Sequence, residues 1–334
     1  MISDRLKRNL KKEFRSSLLA KIGVFLMLVV VLSATFAPLL APHDPTQTNP
    51  EQAQLPPIGF ESERETSEFV DGEVQTVSRS VEGSMEHPLG TDAVGRDMAS
   101  RILYGARTSL LVGLIGSTVA AVTGVAVGLT AGYYGGRVDD GLMRFADVML
   151  AFPSLVLAVA LVGLLGPLTF PLPDPIVLLG LAEGMPETFT MPVTVTLVVA
   201  LVNWVWFARI ARGEALSLRQ EEYVKAARSM GASDGRIILR HVLPNSFTPI
   251  LVLATIQVAA IILLESSLSF LGFSGTNLSW GFDIAQGRNY LATSWWIASI
   301  PGLAIVAAVI GINLIGDWLR DALDPGIEGE SGGM

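Results

Sequence analysis

"EEYVKAARSMGASDGRIILRHVLPN", residues 221–245, is a charged, helix-forming stretch set between two long apolar runs, 191–210 and 247–271. From Glu221 to Met230, good helix formers interleave Tyr223, Val224, Ala226 and Ala227 with charges, the pattern of a short amphipathic helix. Gly231 can take the left-handed conformation that ends such a helix, Ser233 is placed to cap a second, and Pro244 closes that one. The stretch therefore predicts two short helices joined by a turn. Small residues on one side and charges on the other suit docking into a soluble partner, or lying among lipid headgroups.

The surroundings fix the class. The chain has 334 residues, 50% hydrophobic and only 16% charged, and its charges are clustered, which is the composition of a membrane protein. Runs of about 20 apolar residues, the length an α-helix needs to cross the hydrocarbon core, occur six times. They are 22–41, about 109–131, 145–165, 191–210, 247–271 and 295–319. The third has Asp147 near its start and Pro153 inside it. Between the third and fourth, "IVLLGLA" is too short to span and follows four prolines, so it reads as an extracytoplasmic loop or a re-entrant piece.

Basic residues are retained on the cytoplasmic side of membranes. Residues 1–21 carry seven of them, and Arg209, Arg212 and the loop 213–246 together carry seven more. Segment 42–100 has twelve acidic residues against three basic ones, and 166–190 has no basic residue. The predicted map is a cytoplasmic N-terminus (1–21), a first span, an extracytoplasmic acidic segment (42–100), and a membrane core (101–325) carrying five spans and the cytoplasmic loop. A cytoplasmic tail (326–334) completes an N-in/C-in, six-span, all-α protein. The first apolar run is too long for a signal-peptide core and is expected to remain as an anchor. The acidic segment contains "FESERETSEFVDGEVQTVSRSVEGSMEH", whose composition builds little core, so a mobile or lightly folded insert is expected. With five lysines among 23 basic residues and a net charge of −8, the composition suits a high-salt host such as a salt-dwelling archaeon.

Within the second span Gly116, Ala120, Gly124, Gly128 and Gly132 form a small-residue ridge against which another helix can pack closely, and Gly302 and Gly311 suggest the same in the sixth. Glu265, about 18 residues into the fifth span, either lines a solvated pathway at the outer end or bonds to Ser266, Ser269 or another subunit. Asn203 and Asn313 suit interhelical hydrogen bonds, and Arg144 and Asp147 are spaced to pair.

Several chemistries are excluded. There is no cysteine, so disulfides and thiolate sites are absent, and the three histidines, His43, His87 and His241, have no ligand-like spacing; no metal centre is expected. No phosphate-binding loop, GxSxG elbow or HExxH helix is present, so neither ATP hydrolysis nor the common hydrolase reactions have a home in this chain.

"AARSMGA" followed by "LPN" resembles the cytoplasmic coupling motif of binding-protein-dependent ABC importer permeases. "HPLGTDAVGRDMASRILYGARTSL", "GGRVDDGLMRFADVMLAFP", "ESSLSFLGF" and "GDWLRDALDP" are similar to the dipeptide/oligopeptide/nickel branch of that family, over about residues 86–325 closely and 18–60 loosely. The resemblance implies a type I importer-like fold and a non-enzymatic permease subunit for di- and oligopeptides, with nickel or a glycoside as alternatives on the same scaffold. It also implies a homologous second permease, two cytoplasmic ATPases that bind the ATP and Mg, and an extracytoplasmic binding protein, in the cell membrane of a prokaryote. No cofactor is implied in this chain, and nucleic acid is not a partner. ATPase coupling carries over to Glu222, Tyr223, Ala226, Ala227, Gly231, Ala232, Leu243 and Pro244, while Glu265 and Ser269 are pathway or gate candidates. Lys225 and His241 depart from the general motif, which has Glu and an aliphatic residue there. A self-sufficient channel or secondary transporter is disfavoured by the coupling motif and the lack of an inverted-repeat signature.

Overall fold

The computed structural model describes residues 11–70, 73–276 and 278–323. Arg5, Lys7 and Arg8 of the basic N-terminal segment, and the tail 326–334, lie outside them. The principal helices in chain order are α1 (Leu18–Thr35), α2 (Met98–Tyr134), α3 (Gly136–Ala151), α4 (Ser154–Leu165), α5 (Val193–Leu218), α6 (Glu222–Ser229), α7 (Asp234–Ile237), α8 (Phe247–Phe270), α9 (Trp280–Gly287) and α10 (Trp296–Leu323), with single helical turns at Ala37–Leu40 and Pro175–Leu178. Four strands form two hairpins: β1 (Glu61–Val70) with β2 (Glu73–Glu82), and β3 (Thr169–Pro173) with β4 (Thr188–Pro192).

Among the described residues five helices, α1, α2, α5, α8 and α10, are long and apolar enough to cross a membrane. The third span expected over 145–165, with Pro153 inside it, falls on α3 and α4, bent 92° from one another, which make a sixth span only if the bent pair counts as one. The break falls at Phe152 and Pro153. Proline has no N–H to continue the helix, and its ring collides with the carbonyl one turn back. The second helix begins earlier than expected, at Met98, because Asp97 caps it by accepting from Ser100 N at 2.7 Å. At 1.5 Å per residue its 37 residues extend about 55 Å, beyond the roughly 30 Å hydrocarbon core, so its first turns stand clear of the spanning region.

The small-residue ridge on α2 faces α5. A Cβ added at Gly124, Gly128 or Gly132 would run into the carbonyl oxygens of Trp204, Ala208 and Arg212 respectively, a four-residue repeat on both helices. Backbones approach this closely only where no Cβ intervenes, and van der Waals contact then supplies the drive that the hydrophobic effect cannot supply in lipid. Gly311 packs against Leu26 and Met27 of α1, whereas Gly302 has nothing near its missing Cβ.

One end of the bundle holds the α2–α3 junction, the 219–246 loop and the contact of Phe14 with Trp318 (ring centroids 5.8 Å apart). The opposite end holds residues 36–97, 166–192 and 271–295. Within the acidic segment, expected to be a mobile or lightly folded insert, the structure shows a two-stranded hairpin and, beside it, a part fastened to the bundle. β1 and β2 pair antiparallel from Glu61↔Glu82 to Val70↔Glu73, and the chain beyond them folds back, with Thr91 N donating to Leu55 O at 3.0 Å and Trp296 Nε1 to Thr91 O at 2.9 Å. The segment lacks a core of its own and borrows one, Leu89 and Met98 packing on Trp296 and Ile297. "IVLLGLA" is part of the loop joining β3 to β4, leaving Leu178, Leu179 and Leu181 exposed.

Candidate functional site

At the basic end, α6 ends at Met230, and Gly231 sits at φ +81°. Ala232 N donates to Ala227 O at 3.1 Å and Gly231 N to Arg228 O at 3.0 Å, the paired bonds of a Schellman motif. Ser233 occupies the position before α7, but its side chain makes no capping bond. After α7 the chain widens into a π-helical turn, Ile238–Val242, and Asn245 Nδ2 bonds back to His241 O at 2.6 Å before α8 begins.

Burial divides the predicted coupling residues. Val224 and Ala227 are buried in a cluster with Phe207, Ala211, Ile237 and Val242, and Leu243 and Ala232 pack on its edge. Glu222, Tyr223, Ala226, Gly231 and Pro244 are exposed. Ala227 thus anchors the helix, whereas Tyr223 and Ala226, three residues apart, share an outward face with Met230, which is 82% exposed. Desolvation, with a smaller contribution from Glu221, pushes the Tyr223 phenol above its ordinary value, so it remains a neutral donor. The Glu222–Lys225 pair, 3.1 Å apart on the exposed side, contributes little.

The loop is fastened to the spans by contacts that no local pattern shows. Tyr133 OH at the end of α2 donates to Asp234 Oδ1 at 2.8 Å, and the Arg228 guanidinium lies 5.3 Å from the Tyr133 ring centroid. Arg219 Nη1 donates to Gly132 O at 3.1 Å, and Arg212 grips Asp139 of α3 through both carboxylate oxygens at 2.5 and 2.6 Å. These contacts tie α6 and α7 to the end of α2, and α5 to α2 and α3. Asp147 pairs with Arg209 of α5 at 2.7 Å, correcting the pairing with Arg144 that helical spacing suggested; the packing of α5 against α3 brings an equally long arginine to the carboxylate from the neighbouring helix. Asn203 Nδ2 bonds to Val199 O of its own helix at 2.7 Å.

Toward the other end of α8, Glu265 is 1% exposed. It accepts from Ser269 Oγ at 2.6 Å, Ser109 Oγ of α2 at 3.0 Å and Ser266 Oγ at 3.3 Å. The two serines singled out from sequence are joined by Ser109, and the carboxylate ties α8 to α2 within this one chain. Beyond it, the protruding turns of α2 fasten the outer segments. Arg101 bonds Asp283 of α9 at 2.5 and 2.7 Å and Pro45 O at 3.1 Å, while Arg107 holds Asp174 together with the carbonyls of Ala34 and Thr35. Sequence reading missed both arginines, since their partners lie 56 to 182 residues away.

A family profile described as the binding-protein-dependent transport system inner membrane component matches residues 124–329, and one for the N-terminal TM domain of oligopeptide transport permease C matches residues 7–57. A dipeptide transport system permease of Alkalihalophilus pseudofirmus is 36% identical over 94% of this chain and 88% of its own length. A probable D,D-dipeptide transport system permease of Escherichia coli is 35% identical over 93% and 89%, and a glutathione transport system permease of Pectobacterium atrosepticum 39% identical over 72% and 73%. An inward-facing methionine ABC transporter matches with a TM-score of 0.50 at 17% identity, covering 67% of this chain and 97% of the other, a likeness of fold. Members of this family are multi-pass inner-membrane subunits without catalytic activity of their own, working with a second permease, ATPases and a binding protein. The chain belongs to the binding-protein-dependent ABC importer permeases, in their dipeptide and oligopeptide branch.

Proposed function

We propose that this permease passes di- and oligopeptides through a pathway shared with a homologous second permease, driven by two ATPases docked on the face of α6 that bears Tyr223, Ala226 and Met230. The basic end faces the cytoplasm, as the asymmetry of Lys and Arg requires. One observation carries the reading: α6 buries Val224 and Ala227, is locked by its closing turn, and leaves its other face free. Closure of the ATPase pair, which binds the ATP and Mg, pushes α6 as a rigid lever, and the Tyr133–Asp234 and Arg212–Asp139 links carry the push into three helices. Glu265 and Ser269 brace α8 against α2 near the outer side, where an external binding protein delivers its ligand. Peptide as the cargo is supported by the relatives named above for dipeptide and glutathione transport.

The test is reconstitution of the chain in proteoliposomes with its second permease, ATPases and binding protein. Labelled dipeptide should accumulate only when ATP is supplied on the ATPase side. Uptake of nickel or a glycoside, with none of peptide, would reassign the cargo while leaving the coupling role in place.

A further inference from the structure

We propose that His43, His87 and Asp97 form a binding site for a divalent transition-metal ion of the zinc type at the acidic end of the molecule. The inference rests on side-chain geometry and is independent of the cargo. His43 and His87, 44 positions apart in sequence, stack with ring centroids 4.6 Å apart, and each directs Nδ1 toward the same oxygen, Asp97 Oδ1, at 4.0 and 2.9 Å.

The hydrogen bonding leaves a place for a cation. Asp97 Oδ2 is fully engaged by Ser100 N and Ser100 Oγ, both at 2.7 Å, leaving Oδ1 for another partner. His87 Nε2 lies 3.1 Å from Gln52 Oε1, which already accepts from Asn49 Nδ2 at 2.8 Å. Nδ1 of the same ring faces Asp97 Oδ1 at 2.9 Å, the side on which a metal ion would be shared between nitrogen and carboxylate. His43 Nδ1 is enclosed without a hydrogen-bond partner, and the His43 backbone N–H is pinned to Ser100 Oγ at 3.0 Å.

Two imidazole nitrogens and one carboxylate oxygen, all within 4.8 Å of one another, make a donor set for zinc-type ions. Ligand atoms of a tetrahedral zinc lie roughly 3.3 Å apart, and the separations here fall on either side of that value. Gln52 and Ser100 orient the ring and the carboxylate, as outer partners of metal ligands do. A cavity of about 170 Å³, which Glu86 also lines, opens onto the site and leaves a fourth position. A bound ion would clip the segment after α1 and the segment after β2 onto the first turn of α2.

The chain has three histidines and no cysteine, so the site can be isolated. The full-length chain, purified in detergent without a histidine tag and stripped with chelator, is titrated with Co²⁺ and its visible absorption recorded, with Zn²⁺ as competitor. One equivalent should bind with the spectrum of a low-coordinate nitrogen and oxygen site, and Zn²⁺ should displace it. His43→Asn and His87→Asn should each weaken binding by about ten-fold or more, and His241→Asn should leave it unchanged. Absence of the Co²⁺ spectrum in the wild-type chain, as expected if a proton alone fills the gap, overturns the proposal, as does binding unaffected by His43→Asn and His87→Asn.

Discussion

Replacing Gly231 separates conformational strain from crowding. Its φ of +81° lies in the left-handed region, and nothing stands within 4 Å of the position a Cβ would occupy. A substitution there meets no neighbour, so its whole cost is backbone: about 1–2 kcal/mol for alanine, toward 3 kcal/mol for β-branched valine, and less for asparagine, which tolerates this region. The turn is held by two backbone bonds worth about 1 kcal/mol each, so the strain matches what keeps α6 aimed. Since each 1.4 kcal/mol is a factor of ten in an equilibrium constant, alanine should lower the ratio of correctly aimed to misaimed turns about ten-fold and valine further. Six-helix packing does not depend on this turn, so membrane levels should stay normal. In proteoliposomes containing the whole transporter, uptake and ATPase stimulation by loaded binding protein should fall in the order Gly, Asn, Ala, Val. Equal transport by all four would refute the lever, and loss of assembly in Asn and Ala alike would show that the turn serves folding instead.

The α2–α5 ridge predicts a contrast between two glycines: Gly128→Val drives a side chain into the Ala208 backbone and should cost about 1–3 kcal/mol, seen as a lower unfolding temperature in detergent, while Gly302→Ala, with open space around it, should match wild type. Glu265→Gln keeps one acceptor oxygen and offers an amide N–H that a serine oxygen can accept, so it should retain most transport, whereas Glu265→Leu orphans Ser109, Ser266 and Ser269 and should lower both thermal stability and uptake. Equal behaviour of the two would remove the brace. In the cysteine-free background, Met85→Cys, at an exposed site on the acidic end, should react with an impermeant thiol reagent on intact cells and Ser217→Cys, at the basic end, should not; the reverse would invert the orientation.

Much of this protein is written locally. Apolar runs of spanning length, Gly231 as a helix terminator and the four-residue ridge on α2 are short-range features, because helix formation and the bilayer both read the chain over 20 residues or so. The resemblance to importer permeases is also local, carried by motifs around 86–109 and 221–245. What the sequence determined was therefore the class, most of the spans and the helix–turn–helix loop proposed to meet an ATPase. Tertiary structure decided what depends on the meeting of distant segments. It bent the third span at Pro153, turned Ala227 inward while exposing Met230, and gave Asp147 to Arg209 in place of its neighbour. It folded the acidic segment by lending it Trp296, and brought His43 and His87 onto one carboxylate. Composition suggested a mobile or lightly folded insert there because the segment cannot bury enough of its own apolar surface; a surface supplied from another helix, 205 residues away, is invisible to any window along the chain.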